Sequence, residues 1–113
     1  MAKITHVKTQ RQIKLIGKNG TAMATLVSLS KHAVGVNSPR SAQIGTELEL
    51  EFEIPAFQYF TTLNLLGVVT HRHNTEQGVY LTIEFDSPSV QVQKSIEDFI
   101  DYKTRLSEMG KRF

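Results

Sequence analysis

Glu47-Leu48-Glu49-Leu50-Glu51-Phe52-Glu53-Ile54 alternates carboxylate and hydrocarbon without a break. Successive side chains of an extended chain point to opposite faces, whereas a helix repeats every 3.6 residues, so this period of two reads as a strand with one wet and one dry face. Four glutamates share the wet face, which repels anions, so a phosphate-bearing ligand is expected elsewhere on the surface. Val79, Leu81, Ile83 and Phe85 repeat the alternation, and Met23, Val27 and Leu29 do so less cleanly.

The stretches between these runs read as turns. Lys18-Asn19-Gly20 separates residues 11–16 from 21–29, and Asn-Gly is expected at the centre of a hairpin turn, where both residues need positive φ. Asn74-Thr75-Glu76-Gln77-Gly78 closes a second hairpin between residues 63–73 and 79–85. Strands joined by turns, with no helical pattern before the end of the chain, predict an antiparallel barrel or sandwich.

The tail differs in kind. Ser87 is expected to cap a helix whose first residue is Pro88, with Gly110 at its C-terminal end. Val92, Ile96, Phe99, Ile100 and Leu106 fall on one helical stripe, and Asp101 and Arg105 are expected to pair at i, i+4 on the wetter side. Ile96, Phe99 and Ile100 are expected to pack on the barrel or on a partner. The division read from this pattern is a basic N-terminal arm over residues 1–10, a β-barrel over 11–86, and a helix of the same domain over 87–110.

The 113 residues suffice for one modest core, and the absence of cysteine excludes disulfides and thiolate metal sites. No apolar run resembles a signal peptide or approaches the ~20 residues of a membrane span, which predicts a cytoplasmic protein without membrane insertion. Residues 1–46 carry seven Lys and Arg and no acid, while all eleven acids lie between Glu47 and Glu108. An unopposed basic half favours an anionic partner.

Catalytic signatures are missing. There is no P-loop, nucleophile elbow or dinucleotide fingerprint, and the carboxylates are spread along a strand face and a helix. His71 and His73 share one side of a strand but lack a third ligand at workable spacing, so they read as surface residues and not as a zinc site. Neither an enzyme nor a resident metal or cofactor is expected. Phe57, Tyr59 and Phe60, after Pro55, read as core, with an exposed partner patch as the alternative.

One segment carries more. Val27-Ser28-Leu29-Ser30-Lys31-His32-Ala33-Val34-Gly35-Val36 is followed by Asn37-Ser38-Pro39, by Ile44-Gly45-Thr46, and by the Glu/Leu strand. Downstream come Gly67-Val68-Val69-Thr70-His71-Arg72 and Gly78-Val79-Tyr80-Leu81-Thr82-Ile83-Glu84-Phe85, then the helix. From about Arg11 to Tyr102 this order resembles the PilZ domain. The resemblance implies a six-stranded antiparallel β-barrel with a C-terminal helix that works in cyclic di-GMP signalling. In that family an Arg-x-x-x-Arg pair and an Asp/Asn-x-Ser-x-x-Gly loop grip guanine and phosphate, tasks suited to guanidinium forks and a carboxylate.

Carried onto this chain, the ligand residues are Lys8, Arg11, Ser28, Ser30 and Gly35. Ser30 matches the motif serine, Ser28 stands at the Asp/Asn position, Ala33 at the glycine position, and Gly35 matches a frequent later glycine. Lys3, His6, Lys8 and Arg11 form no Arg-x-x-x-Arg pair, so cyclic di-GMP binding is expected to be weak. The alternative is a nucleotide-independent adaptor with a protein partner in pilus, flagellar or polysaccharide control. A nucleic-acid-binding barrel is disfavoured, because the basic half has no aromatic residue except histidine on which bases could stack.

Overall fold

The structure, a computed structural model, describes residues 6–55 and 60–110. It is the expected closed antiparallel barrel of six strands with one C-terminal helix. β1 is His6–Gly17, β2 Gly20–Ser30, β3 Ala33–Ser38, β4 Glu47–Pro55, β5 Phe60–Thr75 and β6 Gly78–Phe85; α1 is Val90–Gly110. The order around the barrel is β1-β2-β3-β6-β5-β4. Two three-stranded meanders, β1-β2-β3 and β4-β5-β6, thus meet at two seams. Residues 33–38 pair with 79–84 at one, and residues 13–16 pair with 49–52 at the other.

Alternation sorts the side chains as the sequence predicts. Leu48, Leu50, Phe52 and Ile54 point inward to meet Ile13, Leu15, Leu26, Val36, Leu63, Leu81 and Ile83, while Glu47, Glu49 and Glu53 stay exposed. The helix closes one end of the barrel with Ile96, Phe99 and Ile100, all buried in the same core, and Val92 packs at its edge. The stripe therefore serves the chain's own core. The side chain of Leu106 lies outside the described residues, as do Phe57 and Tyr59, whereas Phe60 is exposed. Among the described residues no helix is long and apolar enough to cross a membrane.

Four local expectations are corrected. The first strand begins at His6, not Arg11: Val7 pairs with Leu29, Lys8 with Ser28, and Val7 and Thr9 are buried, so at least residues 6–10 of the supposed arm belong to the barrel wall. In the first hairpin Gly17 pairs with Gly20, which leaves Lys18 and Asn19 as the loop. Asn19 does not take positive φ; Gly20 does, at 139°. The second hairpin repeats this plan, with Thr75 paired to Gly78 at φ 142° and the Thr75 hydroxyl donating to the Gly78 carbonyl at 3.1 Å.

The third correction concerns the helix start. Ser89, not Ser87, is the cap: its Oγ accepts the Val92 N–H at 3.2 Å and its carbonyl the Gln93 N–H at 2.9 Å. Ser87 instead adopts φ 49°, so the chain turns before the helix rather than within it. Among the described residues, the i,i+4 ion pair on this helix joins Lys94 to Asp98 at 3.3 Å, not Asp101 to Arg105.

Candidate functional site

Strand register fixes which residues share the outer surface. Val7, Leu29, Val34, Ile83 and Val69 form one inward row across five strands. The adjacent outward row is Lys8 (β1), Ser28 (β2), Gly35 (β3), Thr82 (β6) and His71 (β5). A second outward row is Gln12, Thr25, Asn37, Tyr80 and His73. Three of the five residues expected at the site, Lys8, Ser28 and Gly35, therefore lie side by side, and Ser30 follows on the same face of β2.

Ser30 closes the two-residue β2–β3 loop. Its Oγ accepts the N–H groups of His32 (3.3 Å) and Ala33 (3.1 Å) and donates to the Ala33 carbonyl (3.2 Å). This is the side-chain-to-backbone bonding that lets serine stabilise tight turns. The Ser30 hydroxyl thus orders the loop, which leaves Ser28 as the serine without such backbone duties among the described contacts.

Gly35 is buried although it belongs to an outward row, because Tyr80 covers it. A β-carbon on Gly35 would fall 2.6 Å from the Ser28 Oγ and 2.8 Å from the Tyr80 Cζ, and would run into the Tyr80 hydroxyl itself. The missing side chain is thus what lets two hydroxyls converge over β3. With Thr82, Ser30, Ala33 and Val34 they line a shallow cleft of about 310 Å³. A broader groove beside it is bordered by Lys8, Gln10, Thr25, Asn37 and Lys103 and by no carboxylate.

Arg11 is not brought to this face. It sits on the inward parity of β1, with Thr9 and Ile13, at the end of the barrel that the helix closes. There its guanidinium lies 5.3 Å from the centre of the Phe60 ring and 5.9 Å from that of Phe99. Two ring faces at these distances hold a cation by their quadrupoles. Arg11 therefore ties α1 to β1 and β5, and it lines a groove with Gln12, Lys14, Glu51 and Glu53 instead of the cleft beside Ser28.

The basic half also finds acids within the molecule. Lys14 meets Glu51 at 3.8 Å across the β1–β4 seam, and Lys31 meets Glu97 of α1 at 3.3 Å. Charge that reads in sequence as an anion-binding signal is thus partly matched by the acidic half of the same barrel.

Tyr80, Thr82 and Lys103 border the site and were not found from sequence. The alternation of β6 marks Tyr80 and Thr82 as outward, but only the β3–β6 register places them over Gly35. No sequence signal brings Lys103 beside Lys8.

A sequence model described as the PilZ domain matches residues 5–102. No curated protein sequence matches the chain. Among solved structures, the Bacillus subtilis inhibitor of motility MotI/DgrA superposes with a TM-score of 0.79 at 15% identity, over 100% of this chain and 54% of that one. The chain thus spans about half the length of that protein, and at this identity the likeness is one of fold.

Proposed function

Since the chain belongs to the PilZ domain family, we propose that it is a cytoplasmic binding module that takes cyclic di-GMP weakly on the outer face of β1, β2 and β3. The observation that carries this reading is the shared outward row of Lys8, Ser28 and Gly35, beside the loop that Ser30 orders. Lys8 supplies charge to a phosphate and the Ser28 hydroxyl a polar contact to a guanine edge, while Gly35, lacking a side chain, leaves the space in which the Ser28 and Tyr80 hydroxyls converge. Lys103, on the border of the same groove, is a second cation for a ligand with two phosphates.

The expected affinity is low for a physical reason. A neutral hydroxyl at position 28 gives about 0.5–1.5 kcal/mol where a carboxylate gives about 1.5–3, on the order of a tenfold difference in affinity. Calorimetric titration should show saturable binding that weakens with salt, because lysines act on phosphate as point charges. Lys8→Ala should weaken it further, and Ser28→Asp should tighten it about tenfold. Absence of heat or chemical-shift change at millimolar ligand, in both wild type and Ser28→Asp, would refute the receptor reading.

One observation favours a second reading, a nucleotide-independent adaptor for a protein partner. The guanidinium expected at the ligand is engaged between Phe60 and Phe99 instead. The wild-type titration separates the two, since an adaptor gives no signal with cyclic di-GMP; where wild type binds, Arg11→Ala locates the site, binding lost returning Arg11 to the ligand and binding unchanged leaving it as a fastening of the helix.

A further inference from the structure

We infer that His73 and Tyr80 form a purine-stacking platform at the β5–β6 side of this site, supplying the base contact that Arg11 does not. The inference rests on the nucleotide reading above. The two rings stack with centroids 5.1 Å apart and planes 27° from parallel. Tyr80 is held against the backbone of Gly35, its hydroxyl over the cleft that Ser28 and Thr82 line, and His73 stands on the exposed side of β5. The outward rows place this pair two and three strands from β2, so a ligand with a phosphate near Lys8 extends a base past Ser28 toward it across β3.

The chemistry suits a purine. Every base offers a π face, and stacking on aromatic side chains needs no matching hydrogen bonds. Base edges need donors and acceptors, and the hydroxyls of Ser28, Tyr80 and Thr82 supply both from one cleft. The competing account is that Tyr80 only shields a strand glycine, as aromatic residues do across from glycine in sheets. That account explains Tyr80 against Gly35 but gives His73, exposed and stacked on it, nothing to do.

The test is a titration of the full chain with cyclic di-GMP, followed by NMR of the His73 and Tyr80 ring protons and by the dissociation constant. Ring-current shifts on both residues are expected. His73→Ala should weaken binding by roughly 5- to 150-fold, the factor one base stack corresponds to, while His73→Trp keeps or tightens it. Neither change should alter the denaturation midpoint, because His73 is exposed. If wild type binds but the ring signals stay silent and His73→Ala binds equally well, the platform is refuted while the receptor reading stands. If wild type does not bind cyclic di-GMP, the receptor reading falls, and titration with guanosine monophosphate decides the platform by itself: shifts on both rings uphold it, and unshifted rings overturn it.

Discussion

Phe99→Ala is expected to destabilise the domain by about 3–5 kcal/mol, read as a fall in the urea midpoint at unchanged slope. Phe99 is 2% exposed, with Ile96 and Ile100 beside it at the end of the barrel that no strand covers. Truncation leaves a ring-sized cavity there, and the barrel wall cannot collapse into it because its strands are hydrogen-bonded around a closed circle. It also strips one aromatic face from Arg11, whose guanidinium then keeps only the exposed ring of Phe60. Phe99→Leu separates these contributions: it refills most of the volume and removes the cation–π contact, so it should cost less than about 2 kcal/mol. A midpoint that barely moved with Phe99→Ala would mean that the helix does not close the core in solution.

Gly78→Ala should be the second costly change, at about 2–5 kcal/mol, and Gly20→Ala is its control. Both glycines end two-residue hairpin loops at nearly the same positive φ, 142° and 139°. Each substitution therefore pays the same backbone strain, about 1–2 kcal/mol. Their surroundings differ. A β-carbon at Gly20 meets nothing closer than the flexible Arg40 guanidinium at 3.5 Å, whereas at Gly78 it runs into the Ser38 carbonyl and sits 3.4 Å from the Ser38 carbonyl carbon. Ser38 cannot retreat: it pairs with Val79, and its Oγ accepts the Arg40 N–H at 3.1 Å and donates to the Arg40 carbonyl at 2.7 Å. Overpacking against such backbone adds about 1–3 kcal/mol. Equal losses from the two substitutions would show that the β3 end yields freely.

The strands were legible because a half-buried strand writes its period directly into the chain, and 47–54 and 79–85 do so with little interruption. His6–Gln10 escaped because Val7 is its one strongly apolar residue, so pairing with β2, not pattern, makes it a strand. The helix cap was missed by two residues because Ser87-Pro88 and Ser89 offer the same chemistry, and the positive φ at Ser87 that decides between them is a tertiary outcome. At the candidate site, Lys8, Ser28 and Gly35 follow from alternation once the pairing of β1, β2 and β3 is known. Arg11 shows what pattern cannot supply. Its parity with Ile13 was visible, but the two rings that hold it come from strands and helix far along the chain.

The two-meander construction has a consequence for how the barrel assembles. Within each meander every strand pairs with its neighbour in sequence, so both units can form from local contacts, and the slow event is expected to be closing the two long-range seams. The two halves that must then meet carry opposite charge: residues 1–46 carry seven positive charges, and the remainder is negative by five, eleven acids against six bases. Their encounter is attractive over distances comparable to the Debye length, about 8–10 Å at moderate ionic strength. Added sodium chloride should therefore slow the refolding limb of a chevron plot more than it speeds unfolding, since the attraction acts chiefly while the two halves approach. In this sense the segregation of charge along the chain works as a guide for docking, in addition to anything it contributes to a bound anion.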